Sequence, residues 1–270
     1  MYVARNRWYV ALSSAELRDR PIARRRFGLE LALWRDGRGG VGVLEDRCPH
    51  RRAKLSAGRV RGGCVECPFH GFTFDAEGRC RSIPAHPDRP IPQAMAAGAL
   101  AAREAHGYVW LWTGPEPAPE DPIPFFDTAG FSYAGSEAIV PADIHYTVAI
   151  ENQLDFAHLP FVHRTTIGRR LPPGPFEVTT EVEGDRIRAW DRDERAFVEL
   201  LAPNVWRLQL GAMWQQLAFV PLDEGRTLHY VRAYQRTVTL PGLAWLFGRV
   251  SRLLNGVILG QDLRVRSEEH

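Results

Sequence analysis

Two pairs of cysteine and histidine, separated by sixteen residues, constrain the fold of this chain more than any other feature. The first pair is Cys48-Pro49-His50 and the second is Cys67-Pro68-Phe69-His70. Two thiolates and two imidazoles can close a tetrahedral zinc site or hold a [2Fe–2S] cluster whose two irons have different ligands. A one-residue gap between paired ligands is unusual for zinc, whose paired ligands are roughly two to four residues apart. The prolines inside the pairs predict two turn-like loops that grip a metal group from both sides.

The first part of the chain, residues 1–113, is predicted to be a small all-β domain. Its short runs of apolar, β-branched and aromatic residues are separated by clusters of Gly and Asp. These runs are Arg7–Leu12, Phe27–Trp34, Val41–Glu45, Phe72–Asp75 and Tyr108–Trp112. Four prolines within Gly114–Pro122 can continue neither a helix nor a central strand, so residues 114–124 are predicted to be a linker.

The remaining residues, 125–270, predict a second domain of mixed structure. Ser136–Ala149 has the pattern of a strand region and Glu151–His163 has helical character. Five strand-like runs follow between about residues 176 and 238, and Pro241-Gly242 then opens a terminal helix. The simplest packing of this order is a curved antiparallel sheet against a long C-terminal helix, which gives an α+β fold overall.

A second group of candidate metal ligands lies in this domain, where His158 and His163 are five positions apart. Five positions turn through about 500° on a helix, so the two side chains would not share a face of an unbroken helix. Pro160 lies between them and is expected to distort the turn so that both imidazoles reach one metal. A carboxylate would complete a facial triad that leaves positions open for O₂ and substrate.

Asp262 is the preferred carboxylate because it interrupts an apolar helical stretch, where a buried acid needs a partner. The alternative for Asp262 is a solvated acid on the polar face of the helix. Asp223 is a weaker candidate because it lies in a predicted hairpin turn.

Composition excludes some classes of function. The net charge of +2 provides no strong field for nucleic acid or an anionic membrane. The first dozen residues lack the apolar run of a signal peptide, and Leu243–Leu263 is interrupted by Arg249, Arg252 and Asp262, so no membrane span is predicted. The clustered cysteines indicate metal binding in a cytoplasmic protein rather than disulfides, with Cys64 and Cys80 as packed thiols.

The two loops resemble those of Rieske proteins, in the segments Cys48-Pro49-His50-Arg51 and Cys67-Pro68-Phe69-His70-Gly71. Gly107-Tyr108-Val109-Trp110 is similar to the strand that closes the Rieske domain. The resemblance implies that Cys48 and Cys67 bind one iron of a [2Fe–2S] cluster and that His50 and His70 bind the other.

The segment Asp155-x-x-His158-x-x-x-x-His163 resembles the iron motif of Rieske non-haem iron oxygenases. It is most similar to the group that includes vanillate demethylase, dicamba monooxygenase and the pheophorbide oxygenase-like proteins. The resemblance implies a helix-grip (START-like) catalytic domain in which His158, His163 and Asp262 bind a mononuclear Fe(II). It also implies a homotrimer in which Asp155, which is not a ligand, hydrogen-bonds between His158 and His70 of the neighbouring subunit.

One departure from the family concerns the C-terminus, because the chain ends eight residues after Asp262, whereas members of the family usually continue. Two explanations of this difference remain open: the substrate domain is a minimal version, or the terminus has been cut.

The implied reaction is the use of O₂ to hydroxylate or oxidatively dealkylate an organic substrate, in keeping with aromatic compound metabolism. Monooxygenation or demethylation is favoured over dioxygenation. Electrons would come from an NAD(P)H-dependent reductase, a ferredoxin or both, because the chain has no Gly-rich dinucleotide fingerprint. The alternatives are a Rieske electron-transfer protein with a ligand-binding domain that lacks the second iron, and a zinc-bearing structural module.

The substrate pocket is expected between the sheet and the terminal helix. Trp190, Trp206, Trp214 and Phe219 are candidate lining residues, with core packing as the alternative for each. His145 and His229 are expected to be ordinary hydrogen-bonded strand residues, although either could point into the cavity.

Overall fold

A computed structural model describes residues 3–155, 157–170, 177–191, 196–210, 213–238 and 241–266 of the chain. The chain divides into two compact units, Met1–Ile123 and Pro124–His270. No helix among the described residues combines the length and the apolar character that a membrane span requires.

The first unit is built from ten described β-strands that pair antiparallel in three small sheets. In chain order the strands are β1 (Trp8–Ser13), β2 (Ile22–Arg26), β3 (Leu29–Arg35), β4 (Val41–Glu45), β5 (Arg59–Arg61), β6 (Cys64–Glu66), β7 (Thr73–Phe74), β8 (Cys80–Ser82), β9 (Ala102–Ala105) and β10 (Tyr108–Trp112). The sheet orders are β1-β10-β9, β2-β3-β4 and β5-β6-β7-β8. The five predicted runs overlap β1, β3, β4, β7 and β10. Strands β5, β6 and β8 have three residues each, and the polar sequences of β2 and β9 lack the apolar pattern of a strand, so these five were not predicted.

A hydrophobic cluster joins the strands of the first unit to the two Cys/His loops. Trp34, Leu44 and Phe74 are buried in this cluster together with Cys48 and Cys67. The Trp34 indole N–H also donates a hydrogen bond to the carbonyl of Gly63, at 2.9 Å. Both cysteines are therefore anchored in the core, and the loops that carry them share one packed base.

The second unit contains a seven-stranded antiparallel sheet and three described α-helices. Its strands are β11 (Ser132–Ala142), β12 (Val178–Glu183), β13 (Arg186–Asp191), β14 (Ala196–Leu201), β15 (Val205–Leu210), β16 (Met213–Pro221) and β17 (Thr227–Gln235). The spatial order is β11-β17-β16-β15-β14-β13-β12. The helices are α1 (Tyr146–Leu154), α2 (Leu159–Val162) and α3 (Pro241–Arg266). Helix α3 packs against β11 and β17, and the Gln215 side chain of β16 donates a hydrogen bond to Asn255 of α3 at 2.8 Å.

The predicted fold class is confirmed: an all-β first domain precedes a sheet-rich α+β domain with a long C-terminal helix. Two details of the second unit were predicted wrongly. Six strands, not five, follow the first helices, because the region between residues 176 and 238 folds into three successive hairpins. The predicted strand region Ser136–Ala149 becomes helical from Tyr146, because the His145 side chain accepts a hydrogen bond from the Thr147 N–H and starts α1.

Candidate metal centres

The two Cys/His loops have the same backbone hydrogen-bond pattern. The Cys48 N–H donates to the carbonyl of Ala53, five residues on, and the Cys67 N–H donates to the carbonyl of Phe72, also five residues on. Each cysteine carbonyl accepts from the N–H four residues later, which belongs to Arg52 and to Gly71. The four distances lie between 2.7 and 3.0 Å. The two loops are thus closed in the same way although their sequences differ.

A positive φ angle at the fourth residue after each cysteine completes this shared geometry. Gly71 adopts φ +72° without a steric cost, and Arg52 adopts φ +60°, which is rare for a residue with a Cβ atom. Arg52 keeps this conformation because its N–H is tied to Cys48. Backbone conformation in both loops is therefore set within a few residues of the metal-binding side chains.

The four candidate cluster ligands converge on the tips of these loops. Cys48 and Cys67 are 2% and 3% exposed, whereas His50 and His70 are exposed. The imidazole centroids of the two histidines are 4.8 Å apart, and His50 stacks on Phe72 at 4.9 Å. Burial raises the pKa of the Cys48 thiol, and the neighbouring Cys67 thiol raises it further. Two buried sulfurs beside two exposed imidazoles match the donor set of a Rieske [2Fe–2S] cluster, whose positive irons would stabilise the thiolates.

The other two cysteines lie outside these loops. Cys64 is on β6 and Cys80 is on β8, and both are partly buried free thiols. Burial raises the pKa of each thiol.

The second predicted ligand group is brought together by α2 and α3. One ligand atom from each of His158, His163 and Asp262 lies within 4.8 Å of the other two. Oδ1 of Asp262 is 2.9 Å from Nε2 of His163 and 3.6 Å from Nε2 of His158. His163 is 1% exposed and Asp262 is 7% exposed. Two imidazole nitrogens facing one carboxylate oxygen form the donor set of a 2-His-1-carboxylate site.

The two histidines are brought together by the short helix α2 that they flank, not by the predicted kink at Pro160. Helix α1 ends at Leu154, Asp155 is extended, and α2 begins after His158. Pro160 lies in the first turn of α2, where its missing N–H costs no intrahelical hydrogen bond. His158 and His163 are the residues that flank this four-residue helix, so their rings meet at 5.3 Å.

Two glutamines that the sequence did not single out hold this ligand group in place. Nδ1 of His163 lies 3.0 Å from Oε1 of Gln261, which also accepts a hydrogen bond from the Thr166 hydroxyl at 2.8 Å. Nδ1 therefore carries the proton and Nε2 of His163 is left free toward Asp262. The Gln153 amide donates to the other oxygen of Asp262 at 3.3 Å. Two features of the sequence could have indicated these glutamines: Gln261 is adjacent to Asp262, and Gln153 lies two residues before Asp155.

The charges of this group support a metal between the three side chains. Burial alone would lower the pKa of His163, but the neighbouring Asp262 and Gln261 outweigh burial and raise it. Oδ1 of Asp262 and Nδ1 of His158 are buried, and neither forms a hydrogen bond of acceptable geometry with any residue that the structure describes. A cation bound by Asp262 would satisfy this buried oxygen, so the residues present fit a metal ion.

Asp155 and Asp223 are not members of this buried ligand group. The Asp155 carboxylate is half-exposed, and its Oδ2 is 3.4 Å from Nδ1 of His158. Its Oδ1 accepts the Ala157 N–H at 2.7 Å. Asp223, the weaker candidate for the third ligand, instead forms an ion pair with Arg226 in the turn between β16 and β17.

His145 and His229 differ in their surroundings. His145 caps α1, in agreement with the expected hydrogen-bonded role. His229 is 4% exposed, and its Nδ1 has no hydrogen-bond partner among the described residues, so the expectation of an ordinary hydrogen-bonded histidine was wrong. Burial lowers the pKa of His229 to about 4, and the imidazole is therefore neutral at pH 7.

The strand registers divide the four candidate pocket residues between the two faces of the sheet. Trp206 pairs with Leu217 and Phe219 pairs with His229, on the same face as Gln215, which contacts α3. Trp190 and Trp214 lie on the opposite face, because Phe197 and Gln209 connect them in one cross-strand row. The alternation of side chains along each strand predicts which residues share a face of the sheet. It does not predict which of the two faces turns toward α3.

Comparison with known proteins assigns the chain to a class. The Rieske [2Fe-2S] domain family matches residues 7–95, and the vanillate O-demethylase oxygenase C-terminal domain family matches residues 142–208. Together with the fold and the two ligand groups, these matches define a protein with a Rieske domain followed by a vanillate O-demethylase-type C-terminal domain. The chain belongs to the Rieske non-haem iron oxygenase family.

Relatives and solved structures agree with this assignment. A vanillate O-demethylase oxygenase subunit from Pseudomonas sp. (strain HR199 / DSM 7063) is 31% identical over 76% of this chain and 56% of its own length. Aminopyrrolnitrin oxygenase PrnD from Pseudomonas fluorescens is 35% identical over 77% of this chain and 50% of its own length. The chain thus spans about half the length of the curated relatives it matches. The structure of NdmA from Pseudomonas putida CBB5 has a TM-score of 0.81 at 21% identity, covering 96% of this chain and 80% of that chain.

Proposed function

We propose that this chain is the oxygenase component of a Rieske system that uses O₂ to hydroxylate or oxidatively dealkylate an aromatic substrate. The observation that supports this most directly is the convergence of His158, His163 and Asp262 within 4.8 Å, in a chain that also carries a Rieske domain. When bound, a ferrous ion with this ligand set has open positions and supplies the activation of O₂.

We propose that four side chains hold the [2Fe–2S] cluster and that three side chains hold the mononuclear iron. Cys48 and Cys67 would hold one iron of the cluster, and His50 and His70 the other. His158, His163 and Asp262 would hold the mononuclear Fe(II). Gln261 fixes the tautomer of His163 and so presents Nε2 to the metal.

Asp155 is proposed to carry electrons between neighbouring copies of the chain. The Asp155 side chain is 51% exposed, and its Oδ2 lies 3.4 Å from Nδ1 of His158. His70 is exposed next to Phe69, which is 62% exposed, so the imidazole edge of the cluster can contact another protein. This exposure allows Asp155 to accept hydrogen bonds from His158 and from His70 of a neighbouring copy, and the resemblance to the family implies that the copies form a homotrimer. A cytoplasmic reductase or ferredoxin would supply electrons to the cluster.

The substrate class follows from the relatives and from the sheet face toward α3. Vanillate O-demethylase, aminopyrrolnitrin oxygenase and chloroacetanilide N-alkylformylase are named as oxygenases of aromatic compounds or as enzymes that remove alkyl or alkylformyl groups. The α3-facing side of the sheet carries Trp206, Leu217 and Phe219, which are buried side chains of the core. We therefore favour monooxygenation that cleaves a methyl ether or N-methyl group. Demethylation would consume one O₂, two electrons from the reductase and two protons. One oxygen atom would leave with the methyl carbon as formaldehyde and the other as water, and the substrate would keep a hydroxyl or N–H group.

Iron analysis tests this proposal against its alternatives. Purified, reconstituted protein should contain three irons and two labile sulfides per chain, and Asp262→Ala should reduce iron to two while the visible colour of the cluster stays. Asp223→Ala is the matched control and should keep three irons. Two irons in the unaltered protein would indicate the electron-transfer alternative, and a colourless protein would indicate zinc.

Turnover then tests the reaction itself. The iron-loaded protein, a surrogate reductase and a set of methoxy- and N-methyl-substituted aromatic acids would be incubated under ¹⁸O₂, with products read by mass spectrometry. Formaldehyde in step with a demethylated product supports the proposal. A dihydroxylated ring carrying two ¹⁸O atoms would replace monooxygenation with dioxygenation.

A further inference from the structure

A buried imidazole beside the candidate iron site has no role in the ligand group. His229 projects from β17 on the face that turns toward α3, and it packs edge-on against Phe219 with ring centroids 5.3 Å apart. Its Nδ1 is buried and has no hydrogen-bond partner among the residues that the structure describes. Buried ring nitrogens are normally paired, so an unpaired one indicates a partner of another kind.

The space next to His229 is a small cavity with Asp262 in its wall. The cavity is also lined by Ala149, Asn152 and Gln153 of α1 and by Leu259 of α3. Its volume is about 10 Å³, close to the minimum that holds one water molecule. A cavity of this size holds one water molecule and excludes an aromatic ring.

We propose that His229 holds a water molecule in this cavity beside Asp262 until O₂ displaces it, and that His229 then donates a hydrogen bond to the O₂. The proposal rests on the mononuclear site under "Proposed function", and it assigns a residue to the small ligand rather than to the organic substrate. A neutral imidazole offers one donor and one acceptor nitrogen, so His229 can orient either molecule. The polar Asp262 and Gln153 side chains also line the cavity and supply the other contacts that a bound water requires.

Nitric oxide is a suitable probe because it is diatomic and binds ferrous iron without turnover. The reduced, iron-loaded full chain would be titrated with nitric oxide and followed by electron paramagnetic resonance, with iron content measured in parallel. His229→Leu removes the hydrogen-bonding nitrogens at similar volume, and His229→Gln keeps a hydrogen-bonding group. His145→Asn is the matched control, because Asn still caps α1 and the side chain lies outside the cavity.

The expected result is that all variants keep three irons and that His229→Leu weakens nitric oxide binding roughly tenfold, the loss of about one hydrogen bond. His229→Gln should restore most of the affinity, and His145→Asn should leave affinity and spectrum unchanged. Wild-type affinity and spectrum in a folded, three-iron His229→Leu protein would overturn the proposal. Loss of the third iron in His229→Leu would also overturn it, by making His229 a support of the metal ligands. Two irons in the unaltered protein would instead refute the proposed function itself.

Discussion

The two ligand groups of this chain are built in different ways. The four cluster ligands fall within the segment from Cys48 to His70, and each loop is closed by its own backbone hydrogen bonds. The mononuclear group joins the ends of α2 to Asp262 in α3, and 99 positions along the sequence separate His163 from Asp262. Local backbone geometry therefore shapes the first group, whereas tertiary packing shapes the second.

This difference predicts where each group is sensitive to mutation. The cluster sulfurs are part of the hydrophobic core of the first unit, so their loss should affect both metal binding and stability. The mononuclear group depends on side chains such as Gln261 and Gln153, which can be removed without touching a ligand. The following substitutions test this contrast, beginning with the largest expected effect.

Cys67→Ser should abolish the cluster and leave at most the one mononuclear iron. A hydroxyl is a poor ligand for this iron, and it also places a polar group in a core position that is 3% exposed. The visible absorption and both labile sulfides should disappear, and the melting temperature should fall. Cys64→Ser, outside the loops, is the control and should keep its colour. Retention of the spectrum by Cys67→Ser would remove this residue from the ligand set.

Asp155→Asn should interrupt electron transfer between the two metal centres while both centres remain bound. The amide cannot accept hydrogen bonds from two imidazoles as a carboxylate does, so electron transfer should fail while three irons remain. Turnover should drop by at least roughly a hundredfold, and the cluster should still be reduced by dithionite. Single-turnover kinetics measure this directly. Full activity with three irons would show that electrons reach the mononuclear site by a route that does not involve Asp155.

Much of the fold and the cluster loops could be predicted from the sequence because their determinants are local. Prolines and glycines beside Cys48 and Cys67 indicate turns, and Pro241 indicates the start of α3. Short strands such as β5, β6 and β8 could not be identified, because three residues carry too little pattern.

The arrangement around the mononuclear site was only partly predictable. The residue types His158, His163 and Asp262 suggested a facial triad, but the end of α1 at Leu154 and the start of α2 after His158 depend on tertiary packing, in which α1 contacts β16 and α2 contacts α3. Pro160 alone suggested a kink that is absent, since proline is tolerated in a first helical turn. Gln261 and His229 acquire their positions from strand register and helix docking, which no sequence pattern contains.

Gln261→Leu should weaken the mononuclear site and leave the cluster intact. Without the acceptor at 3.0 Å, His163 loses the hydrogen bond that fixes its ring and tautomer. Removal of such a partner typically lowers metal affinity about 10–100-fold. Competition of the ferrous protein with a chelator measures this affinity. Gln261→Glu keeps an acceptor oxygen and should recover most of it, whereas equal iron affinity in Gln261→Leu would show that the ring is held by other contacts.

The smallest effect on stability is expected when an ion pair of the first unit is removed. In this unit the backbone hydrogen bonds that close the two loops, rather than surface charges, should maintain the fold. Arg35 of β3 and Glu104 of β9 form two hydrogen bonds, at 2.7 and 3.2 Å, and their side chains are 36% and 29% exposed. The hydrogen bond with Arg35 lowers the pKa of Glu104. A group with a lowered pKa contributes stability above its ordinary pKa and loses it only as the pH falls through the lowered value.

A double-mutant cycle with Arg35→Gln and Glu104→Gln should therefore give a coupling free energy of about 0.5 kcal/mol, as for other partly exposed pairs. The coupling free energy should not change between about pH 6 and pH 8, because Glu104 is ionised throughout this range. It should become smaller in high salt, which screens the two charges. Urea unfolding of the four proteins, with the cluster retained, measures it. A coupling of several kcal/mol would mean that this pair, and not only the local closure of the loops, determines whether the first unit can hold its cluster.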